Sequence, residues 1–194
     1  MKRSLLEKMP GEPHDRLANL RLLLTYQYTR PGKVLLFMGA ELGEANEWAH
    51  EGVLDWESAA LPPRRQIRTF LAELGRLYHE RPALWRRDAD PDGFEWIDCE
   101  DRDNGVLSFV RRDGEDHVVV VLNLMPRVHD EYRIGAPAPG RYAQRLCTDE
   151  VRFGGRGSAT HPLLDTENAP RHGRASSLAL RLPPLSAVVL VPAA

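Results

Sequence analysis

The stretch VLSFVRRDGEDHVVVVLNL, residues 106–124, decides the fold of the second half of the chain. It holds two short, mostly apolar runs, residues 106–111 and 117–124, on either side of Asp113-Gly114. A third run, residues 94–99, precedes them across an Asn-Gly pair. Asn-Gly and Asp-Gly supply the positive φ angles that tight hairpins require. The pattern therefore predicts an antiparallel meander of three strands.

Short apolar runs continue to the end of the sequence. Between turns rich in Pro and Gly, we predict further strands at residues 131–134, 141–146, 177–182 and 187–191. Seven short strands at this spacing are typical of an antiparallel sandwich. The second half, residues 91–194, is therefore predicted to be an all-β domain.

The first half, residues 1–90, has the period of helices instead. Apolar residues on one face predict a helix over residues 13–28, and a second such pattern predicts a helix over 67–78 that ends before Pro82. Residues 34–38, VLLFM, are short and wholly apolar, which predicts a strand covered on both faces, as in parallel sheets. The loop of about 25 residues that follows is long enough to favour a functional role.

This single strand leaves two interpretations open. A parallel strand needs parallel neighbours, each reached by a crossover connection, and residues 1–90 supply only one candidate strand. Either the rest of the sheet lies outside this sequence, or residues 34–38 join the β domain as an extra strand.

Composition narrows the possible partners. The chain has 26 Lys and Arg, 28 Asp and Glu, and a net charge of −2, which argues against nucleic acid or an acidic membrane as the main partner. No apolar stretch approaches the ~20 residues of a membrane-spanning helix.

Two cysteines without a CxxC pair, Cys99 and Cys147, are expected to be buried thiols in a reducing cytoplasm. The histidines show no metal-ligand spacing, so no metal and no cofactor are expected. The pair Arg111-Arg112 is expected on a solvated face.

Short motifs run in order through the whole chain. Those of the first half are Lys2-Arg3-Ser4-Leu5-Leu6, Met9-Pro10-Gly11, Ala18-Asn19-Leu20-Arg21, Pro31-Gly32-Lys33, Leu35-Leu36-Phe37-Met38-Gly39, Glu41, Glu47-Trp48, His50 and Leu54-Asp55-Trp56. Those of the second half are Gly93-Phe94-Glu95-Trp96-Ile97-Asp98, Leu107-Ser108-Phe109, Pro139-Gly140-Arg141-Tyr142, Gly154-Gly155 and the stretch from Ser177-Leu178 to Leu182-Pro183-Pro184-Leu185. In content and spacing they resemble the bacterial 1,4-α-glucan (glycogen) branching enzymes.

The resemblance implies a fold and an activity. It identifies residues 1–90 as the end of an α-amylase-type (β/α)₈ barrel, namely the penultimate helix, the last strand at 34–38 and the final helix. Residues 91–194 are then the all-β C-terminal domain of that family. Branching enzymes cleave an α-1,4-glucan and transfer the chain to a 6-hydroxyl group. The reaction is a retaining double displacement that uses a carboxylate nucleophile, a general acid/base and a third carboxylate. The implied partner is α-1,4-glucan or glycogen.

The same resemblance implies that the catalytic carboxylates lie upstream. The third of them belongs to a His-Asp-Glu segment expected to end a few residues before Lys2, and no position of this sequence matches any of the three motifs. We therefore expect no catalytic residue in this chain and no branching by the isolated chain, since losing one member of such a unit costs orders of magnitude in rate. The missing N-terminal barrel portion, from a split gene or a longer polypeptide, is then an expected partner.

Candidate substrate-binding residues follow from the barrel geometry. Active sites of such barrels lie at the carboxyl ends of the strands, which places the loop after Gly39 at the rim. Flat rings beside carboxylates suit the apolar face and the hydroxyl edge of glucose. The candidates are Glu41, Trp48, His50, Asp55 and Trp56. Packing of the loop and local pairing of its carboxylates are the structural alternatives.

Two other functions remain open from the sequence. The chain is alternatively a non-catalytic module that binds α-glucan or assembles with a separate chain. A third reading is a fragment of an amylase or a trehalose-forming relative. Met9-Pro10-Gly11 and the pattern over residues 47–56 favour branching over this third reading.

Overall fold

Two helices form the first part of the computed structural model, which describes residues 3–158 and 161–193. Lys2, in the first of the motifs above, lies outside the described residues. Helix α1 spans Pro13–Thr29, and helix α2 spans Pro62–Glu80. Each begins with Pro in its first turn, where the missing N–H costs no hydrogen bond. Both predicted helices are confirmed: α1 begins where predicted and ends one residue later, and α2 begins five residues earlier and ends two residues later.

All seven strands predicted for the second half are present. The strands are β1 Phe94–Asp98, β2 Val106–Asp113, β3 Asp116–Asn123, β4 His129–Gly135, β5 Arg141–Cys147, β6 Leu163–Asp165, β7 Ser177–Leu182 and β8 Ser186–Pro192. The structure adds one strand that the sequence did not predict, β6, because three residues are too few to show an alternation of period two.

The strands form two antiparallel sheets. One has six strands in the order β1-β2-β3-β8-β5-β6, and the other pairs β4 with β7. Gly114, at the turn between β2 and β3, has φ +62°, the conformation that its Asp-Gly pair predicted. The all-β antiparallel domain predicted from the sequence is therefore confirmed.

The six-stranded sheet is buried on both faces. Because side chains alternate along a strand, Val118 and Val120 of β3 face α1 and α2, whereas Val119 and Val121 face the β4–β7 pair. The molecule thus has three layers: helices, large sheet and small sheet. One apolar cluster joins the helices to the large sheet, and it contains Leu20, Leu24, Ile67, Phe70, Val118, Val120 and Val189 among others. The division at residue 90 stays a prediction.

The strand predicted at residues 34–38 is not formed. These residues belong to neither sheet, so the alternative that adds them to the β domain is wrong, whereas the alternative that places their partner strands outside this sequence stays a prediction. The physical reason is that a strand needs a neighbouring strand for its backbone groups, and the described part of the chain brings none beside this segment. Burial still alternates along it: Leu35 is 72% exposed and Phe37 54%, while Leu36 packs against the helical core.

The two cysteines differ in exposure. Cys147, in β5, is buried as expected, and burial raises the pKa of its thiol to about 12. Cys99 is exposed, so the expectation of burial is wrong for it. It follows the last residue of β1, where the chain leaves the sheet. Neither cysteine is in a disulfide.

Arg111 of β2 ties the helices to the sheet. Its side chain is fully buried, which corrects the expectation of a solvated face. Nη1 donates to the carbonyl of Thr29 at 2.8 Å, Nε donates to the carbonyl of Gly93 at 3.1 Å, and Nη2 donates to Asp88 at 2.6 Å. Thr29 ends α1, and its carbonyl has no partner within the helix. One guanidinium therefore joins α1 and the segment before β1 to the large sheet.

We expect Arg111→Ala to lower the free energy of unfolding by about 3–5 kcal/mol, since it strands a carboxylate and two carbonyls in a dry site. Urea denaturation followed by circular dichroism measures the loss. Arg112→Ala is the control, because Arg112 pairs with the half-exposed Glu95 and should cost less than about 1 kcal/mol. Equal losses for the two variants would contradict the anchoring role of Arg111.

His117 and Tyr142 form a buried polar pair beneath the small sheet. His117 Nε2 lies 2.9 Å from Tyr142 Oη, and His117 Nδ1 lies 3.3 Å from the carbonyl of Glu115. A neutral imidazole fits both contacts when Nδ1 donates to the carbonyl and Nε2 accepts the single proton of the phenol, whose other close acceptor is the carbonyl of Ala138 at 3.0 Å. Desolvation penalises the charged ring and lowers the pKa of His117 below 6.5.

This pair makes stability depend on pH. Above pH 6.5 the imidazole is neutral in both folded and unfolded chains. Below 6.5 the unfolded chain binds the proton more readily, so stability falls until the pH drops through the folded pKa. We expect His117→Gln to flatten the decline in melting temperature between about pH 7 and pH 5. The control is His50→Gln, because the side chain of His50 is 83% exposed. A decline as steep as in the unchanged chain would exclude this role.

Candidate functional site

The loop before α2 begins with a tight reversal. Gly39 and Gly43 have φ of +89° and +59°, and a short 3₁₀ turn, Ala40–Leu42, lies between them. The carbonyl of Gly39 accepts from the N–H groups of both Leu42 and Glu44, each at 3.0 Å. Positive φ at these positions is available to glycine at little cost. The reversal turns the chain away directly after residues 34–38.

A buried ion pair fastens this loop to α2. Arg64 donates from Nη1 to Glu44 Oε2 at 3.1 Å and from Nη2 to Glu44 Oε1 at 3.0 Å. Oε1 also accepts from the backbone N–H groups of Ala45 and Asn46, at 3.0 and 3.2 Å. The two-point geometry and the buried position of Glu44 make this contact stronger than a surface ion pair.

Asp55 belongs to the same network. Its Oδ2 lies 3.6 Å from Arg64 Nη2, and its carboxylate accepts from the backbone N–H and the hydroxyl of Ser58. Those hydrogen bonds lower the pKa of Asp55, so that the side chain is ionised at neutral pH. In this structure Asp55 holds the turn at Ser58–Ala60 in place.

The other four candidate residues lie apart from this network. Trp48 is 49% exposed and meets Phe37 edge to face, with ring centroids 5.1 Å apart. Trp56 is 61% exposed and has no ring partner in the described part of the chain. His50 is also exposed and lies 3.4 Å from a carboxylate oxygen of the exposed Glu51. Glu41 is half-buried, and its carboxylate bonds to no described residue.

A cavity of about 490 Å³ opens beside Trp48. Its walls come from α1, from residues 35–40, from the N-terminal segment and from the start of the loop. Phe37 and Leu35 give it an apolar side, and Glu44 and Asn46 give it a polar edge. Of the five candidate residues, only Trp48 lines it.

Phe37, Glu44 and Arg64 contact the candidate residues or hold their loop, and sequence reasoning did not single them out. Phe37 sat in a segment interpreted as a buried strand, although it lies exposed beside Trp48. Glu44 and Arg64 are 20 residues apart and belong to different elements, so no periodic pattern links them. The sequence gives only one indication of this ion pair, namely that Glu44 and Arg64, at the two ends of the long loop, have opposite charges.

Within the described ranges, no cluster of three or more His, Cys, Asp or Glu is placed to hold a metal ion. Neither helix of that part of the chain is both long and apolar enough to cross a membrane.

Comparison with known protein families shows which family the all-β domain matches. The model of the alpha amylase C-terminal all-beta domain matches residues 96–193, half of the chain. The chain belongs to this family. The matched residues include all eight strands except the first two residues of β1.

The similarity to curated proteins extends through both halves of the chain. The 1,4-alpha-glucan branching enzyme of Burkholderia thailandensis is 48% identical over 97% of this chain, and that of Salinibacter ruber is 43% identical over 99%. The branching enzyme of Thiobacillus denitrificans is 45% identical over 99%. The chain spans only 23%, 30% and 26% of these three proteins, and it aligns with their C-terminal part. The resemblance stated from the motifs is therefore confirmed.

Solved structures share the fold at low identity. A debranching enzyme from Nostoc punctiforme superposes with a TM-score of 0.62 at 16% identity, covering 90% of this chain and 31% of that one. An alpha-amylase from Geobacillus thermoleovorans, complexed with acarbose, superposes with a TM-score of 0.63 at 18% identity, covering 93% and 34%. These likenesses concern the fold alone.

We expect Arg64→Ala to loosen the loop after Gly39, because Glu44 then keeps a buried carboxylate without its cation. Hydrogen exchange at the amides of Ala45 and Asn46 should accelerate by roughly tenfold or more. The neighbouring Arg65→Ala is the matched control, since Arg65 is exposed and its side chain bonds to no described residue. Unchanged exchange in Arg64→Ala would show that the ion pair does not hold the loop.

Proposed function

We propose that this chain is the C-terminal part of a 1,4-α-glucan branching enzyme and comprises the closing elements of its catalytic barrel and its all-β domain. The observation that carries this proposal is that identity of 43–48% to branching enzymes covers 97–99% of the chain. The similarity therefore includes α1, α2 and the loop between them, as well as the all-β domain. The free cysteines agree with a cytoplasmic location, which is part of the proposal.

The arrangement of the first half supports a barrel origin. In the proposed barrel, α1 is the penultimate helix, residues 34–38 are the last strand and α2 is the final helix. Leu35 and Phe37 face outward with no strand beside them, as expected of a strand whose neighbours lie elsewhere in a longer protein. Gly39 then turns the chain at the carboxyl end of that strand, where barrel enzymes bind substrate.

The residues of this chain would serve the reaction by binding and positioning. Branching proceeds through a covalent glycosyl intermediate on a carboxylate, and the motifs that carry the catalytic carboxylates in this family have no match here. We assign Trp48, backed by Phe37, to stack against a glucose ring at the rim. Glu41 accepts a hydrogen bond from a sugar hydroxyl, and the Glu44–Arg64 pair keeps the loop in position. The isolated chain is therefore expected to be inactive.

A chimera tests this proposal directly. We expect the Burkholderia thailandensis enzyme, with its aligned C-terminal part replaced by this chain, to branch amylose. The assays are the fall in iodine absorbance and the appearance of α-1,6 linkages. The 194-residue chain alone should show neither change. A chimera that is folded and soluble but fails to branch would overturn the proposal, and branching by the chain alone would overturn the expected inactivity.

Variants of the chimera test the assigned residues. Trp48→Ala should lower kcat/KM by about tenfold through the loss of ring stacking. The control is Trp85→Ala, another partly exposed tryptophan, which lies outside the loop. Equal rates in the two variants would remove Trp48 from the substrate site.

The second candidate function is a glucan-binding module without catalysis. The observation that favours it is the exposed Trp48–Phe37 pair beside a cavity of about 490 Å³. Retardation of the isolated chain in a native gel containing glycogen, lost in Trp48→Ala, would support this function. Reducing ends without new α-1,6 linkages in the chimera assay would indicate an amylase relative instead.

A further inference from the structure

A second cavity lies where the N-terminal part of α1 meets the turns of the β domain. Its volume is about 190 Å³, and it shares no lining residue with the cavity beside Trp48. One side of α1 forms part of the wall, and turns at the ends of β3, β5 and β7 form the rest. The lining residues are His14, Asp15, Ala18, Arg21, Pro126, Thr148, Asp149, Arg156, Pro184 and Leu185.

Arg21 is the unusual residue of this cavity. It is only 2% exposed, and Nε donates to the carbonyl of Thr148 at 3.0 Å. Among the described residues, Nη1 and Nη2 have no hydrogen-bond acceptor, and no carboxylate oxygen lies within ion-pair distance of the guanidinium. Burial lowers the pKa of Arg21 to about 10. A buried guanidinium with two nitrogens unpaired among the described residues thus lines the cavity.

Asp149 attracts Arg21 electrostatically but forms no direct ion pair with it. Asp149 is buried, but its Oδ1 accepts from the N–H of Arg156 at 2.9 Å. Its Oδ2 accepts from the N–H of Ser158 at 2.9 Å and from the Ser158 hydroxyl at 2.6 Å. These bonds hold Asp149 within its own turn, because a carboxylate with three donors is already satisfied.

The charged side chains around the cavity are two guanidinium groups and two carboxylates, and among the described residues only the guanidinium groups keep donors without an acceptor. Arg156 is exposed and forms no ion pair with the described residues. Asp15, half-buried in the first turn of α1, is the other carboxylate of the lining. Arg21 and Arg156 therefore balance Asp15 and Asp149 in charge, and the free Nη donors of Arg21 are the groups that an oxyanion meets.

We propose that this cavity binds a small oxyanion, a phosphoryl or carboxylate group, through the Nη1 and Nη2 atoms of Arg21, with Arg156 at the mouth. A planar guanidinium donates to two oxygens of one such group in a fork-like geometry. The apolar walls, Ala18, Pro184 and Leu185, leave room for a small substituent but not for a polymer. The site does not depend on the proposed branching function, and chimera activity has no bearing on it.

Titration of the 194-residue chain tests this proposal. The probes are inorganic phosphate, glucose 1-phosphate and succinate at constant ionic strength, with glucose as the uncharged control. The readout is the ¹⁵N shift of Arg21 Nε together with the melting temperature. We expect saturable shifts with an anion and none with glucose. Ranking the three anions shows whether a free phosphate, a sugar phosphate or a carboxylate is preferred.

Variants separate a built site from general charge screening. Arg156→Glu should weaken binding by roughly tenfold, and Arg21→Lys, which keeps the charge but lacks the fork, by at least as much. Arg68→Glu makes the same charge change as Arg156→Glu at an exposed position on α2 and should leave affinity unchanged. The proposal is overturned by shifts that never saturate, by saturation with glucose alone, or by equal weakening in Arg156→Glu and Arg68→Glu.

Discussion

Burial of the six-stranded sheet on both faces is the constraint on which the rest of this molecule depends. Strand β3 carries four consecutive valines, Val118 to Val121, and all four are fully buried because helices cover one face and the small sheet covers the other. A sheet with this pattern is stable only when both layers are present. The helices are therefore part of the core, and Arg111 adds hydrogen bonds where apolar contact ends.

The packing of α2 in this core also holds the loop of the candidate site in position. Helix α2 packs on the large sheet through Ile67 and Phe70, and the same helix carries Arg64 at its exposed start. Arg64 then positions Glu44, and Glu44 positions the backbone that leads to Trp48. The loop after Gly39, which contains two short 3₁₀ turns, is thereby attached to α2 through Glu44 and Asp55.

The local sequence pattern was enough to predict most of the fold. It did not predict contacts between residues that lie far apart in the chain. Helices and strands appeared where apolar period and turn residues agreed, as at Asp113-Gly114. Residues 34–38 failed as a strand because strand formation depends on partners, which composition does not reveal. Arg111 and Arg64 were missed for the same reason: their acceptors lie 82 and 20 residues away along the chain. Of the candidate site, the sequence located the loop and its exposed tryptophans but not the contacts that hold them.

The outward-facing Leu35 and Phe37 bear on the order in which the proposed full-length enzyme is assembled. Synthesis runs from the N-terminus, so in the proposed enzyme the earlier barrel strands are made first and the barrel stays open until its last strand is made. The segment that closes the barrel arrives joined to α1 and α2, which share their core with the β domain made last. In the proposed full-length enzyme, closure of the barrel would then coincide with docking of the terminal domain, because α1 and α2 share their core with that domain.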